Sequence, residues 1–473
     1  MWMKKKRYIK LFREPEIPEI QFGNWMRYVV QSTRDIEQLR ALIYLQKMQR
    51  AWTLKSAKEW LIAKTGGREI LGRLKSTGLM REVGEEGGAK LYSLVSIRRI
   101  ENWLRKYHGE SRNLSTEEAM REYESVVLEM KREYESFIKS VGEENVEYWV
   151  KKISSINDLV EYTKSIMGSE LYMDALLPII QQYSMANVDI YSSANLERKI
   201  NQTGFSLAYF GEPGTGKTFA TDDLLRGKEE KGVPPHGIIG RLRYAQGMTP
   251  KMFIAILEAY QDYPVDWVIP EFRDFFGYRG MVEKLKLVME RREVRDETRS
   301  GIIGPYKVTS FFIVNYNTQI SKGRWRNTIN DPNFSAVEDR MICKLFINTP
   351  ERRKLIWKNM KRIASGSVNY YLAEILRKHI TYTYYLLQER MPKIVVDEDE
   401  YMKLGDRIAE EIEKKEAPVS LRIVDRALQI AASASLVSYL ARRENEEVWI
   451  DENSIELALN FALQEIDTRA LKA

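Results

Sequence analysis

Apolar residues between positions 35 and 95 follow two different periods along the chain. Over residues 36–45 they recur at helical spacing, and similar patterns predict helices over 54–63 and 68–76. Gly78 ends the last helix, and residues 79–83 and 89–95 then alternate like strands around a glycine-rich turn. Three short helices followed by a β-hairpin are the order of a winged helix, so we predict that fold for residues 35–110.

The third helix of such a module is the one that usually enters the major groove of DNA. Arg68, Arg73 and Lys75 are predicted to lie outward on this helix, and Lys90 on the wing. These four cations are therefore candidate DNA contacts. The alternative is that the module binds protein and that its basic side chains are only solvated.

Two further segments flank the predicted module. Residues 1–34 are basic and interrupted by proline, which indicates an N-terminal arm. Residues 111–155 are predicted to be helical and are highly charged, and Ser115 with Glu118 fits a capping box. We therefore predict a helical connector there, leading to a larger unit that begins near residue 156.

A strand, a glycine-rich turn and a helix are predicted between residues 205 and 226. The turn reads Gly211-Glu212-Pro213-Gly214-Thr215-Gly216-Lys217-Thr218, which is the P-loop pattern in its expected context. Its glycines allow backbone N–H groups to point at phosphate oxygens. Lys217 is predicted to reach the β- and γ-phosphates, and Thr218 to hold Mg²⁺. The chain is therefore predicted to bind ATP or GTP.

Two further apolar strands end in polar residues. Residues 267–269 lead to Glu271, a candidate Walker B carboxylate that orients the attacking water, and residues 308–314 lead to Asn317, a candidate sensor 1 amide. The alternatives are an ordinary surface glutamate and a turn asparagine. Pro270 stands where Walker B strands usually have an aspartate. Asp266 or Asp274 is then a candidate substitute in supporting Mg²⁺.

Arg340 directly precedes another apolar strand, predicted over residues 341–347. An arginine there suits an arginine finger, because its fixed charge stabilises the transferring phosphoryl group of a neighbouring subunit. The alternative is a structural salt bridge within the chain.

Composition narrows the classes of protein. The 473 residues carry a net charge of +7, a weak indication of nucleic-acid binding on its own. One cysteine and three histidines argue against a disulfide framework or a zinc site, which leaves nucleotide-borne Mg²⁺ as the expected metal. No apolar run reaches the roughly 18 residues of a membrane span, and the basic start lacks the apolar region of a secretory signal. We expect a cytoplasmic protein.

Taken together, these motifs resemble the AAA+ module of minichromosome maintenance (MCM) replicative helicases. The resemblance covers roughly residue 156 to the C-terminus. Besides Asn317 and Asp339-Arg340, it rests on short stretches that occur in the family's order: residues 166–170, 289–292, 298–302, 376–382 and 419–424.

The resemblance implies an α/β fold: a P-loop AAA+ core with a parallel sheet between helices over residues 156–350, and a helical lid over 351–473. It implies ATP with Mg²⁺ as cofactor. Residues 293–302 would form a β-hairpin that grips DNA in a ring channel, with Arg295 and Arg299 as its cations. Arg422 matches the lid sensor 2 arginine, which acts on a neighbour's nucleotide, as Arg340 would. The implied working form is a homo-oligomeric ring, a hexamer.

The chain also departs from that family. It has no MCM-type N-terminal domain or zinc ribbon, its predicted winged helix precedes the ATPase, and Pro270 replaces the Walker B aspartate. The leading hypothesis is an ATP-driven DNA translocase or helicase of replication. An initiator or loader switched by ATP stays open, and Pro270 favours it because hydrolysis would be slow. A regulatory NTPase whose winged helix binds protein also stays open.

Overall fold

The protein divides by its internal contacts into two compact units, Met1–Ser115 and Thr116–Ala473. The computed structural model describes residues 7–9, 19–65, 67–107, 116–277, 280–298, 301–321, 324–329, 333–442 and 446–472. Within these residues, no helix is both long enough and apolar enough to cross a membrane.

The first unit has a helical core closed by a small antiparallel sheet. Its helices are α1 (Glu19–Val29), α2 (Thr33–Gln49), α3 (Leu54–Thr65), α4 (Ile70–Ser76) and α5 (Ile97–Tyr107), and its strands are β1 (Arg7–Ile9), β2 (Trp52–Thr53), β3 (Met80–Glu86) and β4 (Ala89–Leu94). The sheet order is β1-β3-β4-β2, and β3 and β4 form the predicted hairpin. The order of three helices followed by a hairpin is thus present, with helix α1 placed before it.

Helix α1 corrects the interpretation of residues 1–34 as an arm. Phe22, Met26 and Val29 recur at helical spacing on one face of α1, and all three are buried in the core of the first unit. Strand β1 also pairs antiparallel with β3. The prolines that suggested an arm, Pro15 and Pro18, precede the helix instead of interrupting it.

The second unit is an α/β structure. Its helices are α6 (Thr116–Lys139), α7 (Glu143–Val150), α8 (Ile156–Met167), α9 (Tyr172–Tyr183), α10 (Leu224–Arg226), α11 (Pro250–Leu257), α12 (Met281–Met289), α13 (Phe334–Glu338), α14 (Pro350–Ala364), α15 (Ala373–Arg390), α16 (Glu398–Lys415), α17 (Arg422–Ser435), α18 (Tyr439–Arg442) and α19 (Glu452–Ala470). Its strands are β5 (Asp189–Ser192), β6 (Asn195–Gln202), β7 (Ser206–Gly211), β8 (Leu242–Tyr244), β9 (Val265–Ile269), β10 (Val294–Thr298), β11 (Gly301–Tyr306), β12 (Ser310–Ser321), β13 (Arg324–Asn327), β14 (Met341–Phe346), β15 (Lys393–Val396) and β16 (Glu447–Trp449).

The central sheet has the order β14-β7-β12-β9-β8, with all these neighbours parallel. Strands β7 and β9 are buried along their whole length, as expected for parallel strands covered on both faces. Strand β12 lies between β7 and β9, so the residues that follow all three strands meet at one edge of the sheet. The α/β class with a parallel sheet is confirmed.

Strand β12 continues beyond the residues predicted from the sequence. It runs to Ser321 and pairs antiparallel with β13, so a second hairpin follows directly after Asn317. Trp325 on β13 is buried, whereas Arg324 and Arg326 on either side of it are exposed. The alternation of polar and apolar residues over 324–326 is the sequence pattern that could have indicated strand β13.

The predicted boundaries at residues 156 and 350 do not separate compact units. Val127 and Met130 of α6 are buried in the same apolar cluster as strands of the central sheet. A second sheet, of order β16-β15-β5-β6, joins strands from before and after residue 350. The described part of the connector and the predicted lid therefore belong to the unit that contains the P-loop.

Candidate functional site

A cavity of about 820 Å³ lies at the carboxyl edge of the parallel sheet. Eight residues on its wall were predicted from the sequence: Pro213, Gly214, Thr215, Gly216, Lys217, Thr218, Glu271 and Asn317. Gly211 and Glu212, also predicted, are not among the described residues that line it. Ligands of open α/β sheets bind outside the carboxyl ends of the strands, so this position suits a bound nucleotide.

The P-loop needs its first glycine for space. Gly211 has a φ of 147°, and a Cβ built on it would lie 2.1 Å from the carbonyl oxygen of Phe346 on the neighbouring strand β14. Gly216 adopts a φ of 90°, in the region that side chains disfavour. After Thr218 the chain makes a π-helical turn, Phe219–Asp223, before α10. The predicted helix over 219–226 therefore begins with a wider turn.

Lys217 is folded back onto the loop. Its Nζ donates hydrogen bonds to the carbonyl oxygens of Gly211 and Glu212, at 3.0 and 2.8 Å. Burial lowers the pKa of Lys217 to about 8; Glu271 acts in the opposite direction, and Arg352 adds to the lowering. An ammonium held among carbonyl oxygens is poised to exchange them for the oxygens of a phosphate.

Glu271 lies on the cavity wall, two residues after the end of β9. Burial raises the pKa of Glu271, and the neighbouring carboxylate of Asp274 raises it further. A carboxylate at this place on the wall can orient a water toward a phosphate bound at the P-loop. Glu271 therefore lies where the predicted Walker B carboxylate would be needed, and its role stays a prediction.

The two aspartates considered as substitutes at Pro270 do not line the described cavity. Asp266 is fully buried at the other end of β9, where its oxygens accept hydrogen bonds from Gln181 and Gln182 at 3.1 and 2.6 Å. Burial raises its pKa to about 7. Asp274 follows Glu271 and packs against Gly247. The positions of Asp266 and Asp274 therefore do not favour a role for either residue at Mg²⁺.

Asn317 pairs with Gly211 in the register of β12 on β7, which sets it beside the start of the P-loop. Its carbonyl oxygen accepts hydrogen bonds from the N–H and the hydroxyl of Thr328, at 3.1 and 2.8 Å. These bonds fix the backbone at the predicted sensor position. Sequence reasoning missed Asn315, which also lines the cavity and shares the face of Asn317 because side chains two apart on a strand point the same way.

Arg352, in the first turn of α14, was also missed. Its Nε and Nη2 donate to the carbonyl oxygen of Thr215 in the P-loop, at 3.2 and 3.1 Å, and Nη2 donates to Oδ2 of Asp174 at 2.6 Å. Lys344 reaches the other oxygen of Asp174 at 2.9 Å. Asp174 thus ties α9, β14 and α14 together below the P-loop. Nothing in the sequence spacing indicated these partners.

The two arginines predicted to act on a neighbour lie in one cluster outside the cavity lining. Arg340 pairs with Glu290 through its Nε at 2.8 Å and also through Nη2. Arg422 pairs with Asp339 at 3.3 Å and is half exposed. In the isolated chain the salt-bridge alternative therefore describes Arg340. Its action on a neighbour stays a prediction.

A hairpin lies where one was predicted over residues 293–302, but its second strand, β11, continues to Tyr306. Strands β10 and β11 pair antiparallel from Val294 with Tyr306 to Thr298 with Gly301. Arg295 is largely exposed and pairs with Glu297 at 3.2 Å, an exposed contact that leaves the guanidinium accessible. Arg299 lies outside the described residues.

The basic residues predicted to contact DNA in the first unit differ in their surroundings. Arg68 is exposed, and exposed Lys75 has its Nζ 5.7 Å from the centre of the Tyr92 ring. Lys90 is exposed and pairs with Glu82 at 2.8 Å. Arg73 is only 20% exposed, because it pairs with the buried Asp35. The expectation that Arg73 lies free on the outer face is therefore wrong.

The far wall of the cavity is apolar. It is formed by Met167, Leu171, Ile356, Met360 and Ile363, from the end of α8, the start of α9 and from α14. The P-loop at one end and apolar side chains at the other fit a nucleotide, whose phosphates and base differ in polarity in the same way. The side-chain oxygens of Thr218, Glu271 and Asn315 are of the kind that bind Mg²⁺ or the waters around it. The residues present therefore fit a nucleoside triphosphate with Mg²⁺.

Searches with protein-family models and among curated proteins found no match to this chain. The interpretation of the site therefore rests on the geometry of its own residues.

Proposed function

We propose that this chain is an ATP-driven DNA translocase or helicase, an MCM-like AAA+ ATPase that acts in DNA replication as a hexameric ring. The observation that carries the proposal is the cavity that joins the P-loop to Glu271 and Asn317. A phosphate-binding loop alone fits many proteins. A carboxylate and an amide facing the same loop are the further groups that hydrolysis of the γ-phosphate needs.

Each of these side chains has a part in the proposed reaction. Bound Mg²⁺ would supply positive charge at the β- and γ-phosphate oxygens. Lys217 leaves the carbonyl oxygens of Gly211 and Glu212 to pair with the phosphates. Glu271 accepts a hydrogen bond from the attacking water and orients it toward the γ-phosphate. The amide of Asn317 donates a hydrogen bond to the γ-phosphate.

The arginine cluster supports a shared site in a ring. Arg340 and Arg422 come from separate parts of the chain, yet both lower the pKa of Glu290. Neither is among the described residues that line the cavity of its own chain. Two arginines in one cluster, away from the phosphate site of their own chain, support a role toward the phosphates of an adjacent subunit. Rings close when such head-to-tail contacts repeat around an axis.

DNA binding is proposed for the β10–β11 hairpin and for the first unit. Arg295 offers an exposed cation on the hairpin, and Arg68, Lys75 and Lys90 offer three on the first unit. Cations of this kind follow phosphates without reading bases, which suits movement along a strand.

Mixed subunits test the shared site. Lys217→Ala and Arg340→Ala chains should each hydrolyse almost no ATP alone. When the two variant chains are mixed in equal amounts and assemble at random in a ring, about a quarter of the interfaces should pair an intact Lys217 with an intact Arg340. The mixture should then recover up to about a quarter of the wild-type rate. Arg407→Ala, at an exposed arginine on α16, is the matched control and should be fully active alone. No recovery at any ratio would rule out the shared site.

Strand displacement separates the motor from the second candidate. A translocase should unwind a duplex that carries a single-stranded tail, in an ATP-dependent manner. Pro270 in place of an acidic residue favours an initiator or loader with slow hydrolysis. ATP-dependent binding to one DNA site without displacement would support that role instead. Hydrolysis indifferent to DNA would favour the regulatory NTPase.

A further inference from the structure

Asn315 lies beside the position where the Walker B aspartate is missing. In the register of β12 on β9, Val314 pairs with Ile269, the last residue of β9. Asn315 and Pro270 are the next residue on each side of that pair, and both line the cavity. Side chains at neighbouring positions of parallel strands point to the same face of the sheet. Asn315 therefore extends on the side where an aspartate at position 270 would extend.

Hydrogen bonds fix the orientation of this amide. The hydroxyl of Thr221, on the π-helical turn after the P-loop, donates its proton to the carbonyl oxygen of Lys217 at 3.0 Å. Since a hydroxyl has one proton, its oxygen can only accept from Asn315, and Nδ2 of Asn315 donates to it at 2.8 Å. Nδ2 thus faces the helix, and Oδ1 takes the other side of the amide plane.

Oδ1 of Asn315 is a buried acceptor with no hydrogen-bond partner among the described residues. Asn315 is 2% exposed and belongs to the cavity wall together with Thr218 and Glu271. A buried acceptor without a donor is costly unless a ligand supplies one. The same strand face thus has an unsatisfied oxygen directly beside the place of the missing carboxylate.

We propose that Asn315 replaces the Walker B aspartate as the residue that positions the nucleotide's Mg²⁺, by accepting a hydrogen bond from a water of its hydration shell. Mg²⁺ sites with nucleotides keep several waters and need few protein ligands. Because Oδ1 is buried, a small shift of the cavity floor accompanies binding.

The proposal rests on nucleotide binding at the P-loop, and Asp223 provides a contrast. Asp223 lines the same cavity and is a full carboxylate, but Lys231 already pairs with it. Because Lys231 already neutralises its charge, Asp223 should attract Mg²⁺ less strongly than an unpaired carboxylate would. It is the matched control for Asn315.

Two binding measurements on the full chain test the proposal. Affinity for the fluorescent analogue mant-ADP in EDTA reports on the P-loop, and affinity of the protein–ADP complex for Mn²⁺, by electron paramagnetic resonance, reports on the metal. Asn315→Ala should weaken Mn²⁺ binding at least about tenfold, the usual effect of removing a residue that orients a metal from outside its ligand shell. Its mant-ADP affinity in EDTA should stay within about twofold of wild type, since Asn315 acts on the metal. Asp223→Asn should keep its Mn²⁺ affinity.

A rescue variant separates a metal role from a structural one. Asn315→Ala combined with Pro270→Asp should regain Mn²⁺ affinity, because a carboxylate returns to the neighbouring strand. Unchanged Mn²⁺ affinity in Asn315→Ala, or an equal loss of mant-ADP affinity in EDTA, would overturn the proposal. So would a rescue variant as weak as the single one, or a larger loss of Mn²⁺ affinity in Asp223→Asn. A wild-type chain that binds no mant-ADP would instead remove the proposed function itself.

Discussion

A substitution at Asp174 tests whether its buried ion pairs with Lys344 and Arg352 stabilise the region around the P-loop. Its carboxylate is 5% exposed and binds both Lys344 and Arg352, and Arg352 also holds the carbonyl oxygen of Thr215. Asp174→Asn keeps the shape of the side chain but leaves two cations without their anion in a buried place. Removing one partner of a buried ion pair costs about 3–5 kcal/mol. We expect a loss of that size in the free energy of unfolding of the second unit.

The pH dependence of the same variant follows from the pKa of Asp174. Burial would raise this pKa, but Lys344 and Arg352 outweigh burial and hold it below its ordinary value. A carboxyl whose pKa is lowered in the folded state stabilises the fold above its ordinary pKa, and this contribution disappears as the pH falls through the folded value. The difference between wild type and Asp174→Asn should therefore be full at neutral pH and shrink in acid.

Urea denaturation of the full chain measures this effect. The two compact units can unfold in two separate transitions. Because a ligand stabilises the unit that binds it, ADP should shift the transition of the second unit to higher urea and so identify it. Glu400→Gln, at an exposed pair with Lys403, is the control and should behave as wild type. The reasoning would be refuted if Asp174→Asn lowered the free energy of unfolding by less than about 1 kcal/mol. It would also be refuted if the difference in that free energy between wild type and variant grew in acid.

Two further predictions follow from other buried groups. Since the pKa of Lys217 is about 8 and only its ammonium pairs with phosphate, mant-ADP affinity should fall about tenfold per pH unit above that value. Glu271→Gln should move this fall to lower pH. If the affinity for mant-ADP does not change between pH 7 and pH 10, Lys217 is not the group that pairs with the phosphate. Met26→Ala in α1 should destabilise the first unit by about 2–5 kcal/mol in urea denaturation, because Met26 is fully buried. Gln21→Ala, at an exposed position of the same helix, should have no measurable effect, and a neutral Met26→Ala would restore the arm interpretation.

The sequence predicted those parts of the site that depend on local order. Glycine spacing, an apolar strand before it and a helix after it are enough to place Lys217 and Thr218. Glu271 and Asn317 follow apolar strands, and parallel strands carry the residues after them to one edge. Their meeting in one cavity was therefore predictable without knowing the strand order.

The residues that the sequence did not reveal depend on contacts between distant segments. Arg352 meets Asp174 across 178 positions of the chain, and β5 meets β15 across the predicted core–lid boundary. Asn315 matters only because β12 lies beside β9 and brings it next to Pro270. Arg73 appeared free because the helical period places it outward, whereas its partner Asp35 comes from another helix. Spacing along one segment carries no information about such pairs.

The partners of Arg340 and Arg422 have a consequence for the proposed ring. Each guanidinium already has a carboxylate, Glu290 or Asp339, so reaching a neighbour's phosphates exchanges one anion for another. Such an exchange is favoured when the incoming group carries more negative charge than the carboxylate it replaces, as the γ-phosphate of ATP does. Loss of that phosphate on hydrolysis would return both arginines to their own chain. In the proposed ring, contact between subunits is therefore tied to the state of the nucleotide by the same ion pairs that occupy these arginines in the single chain.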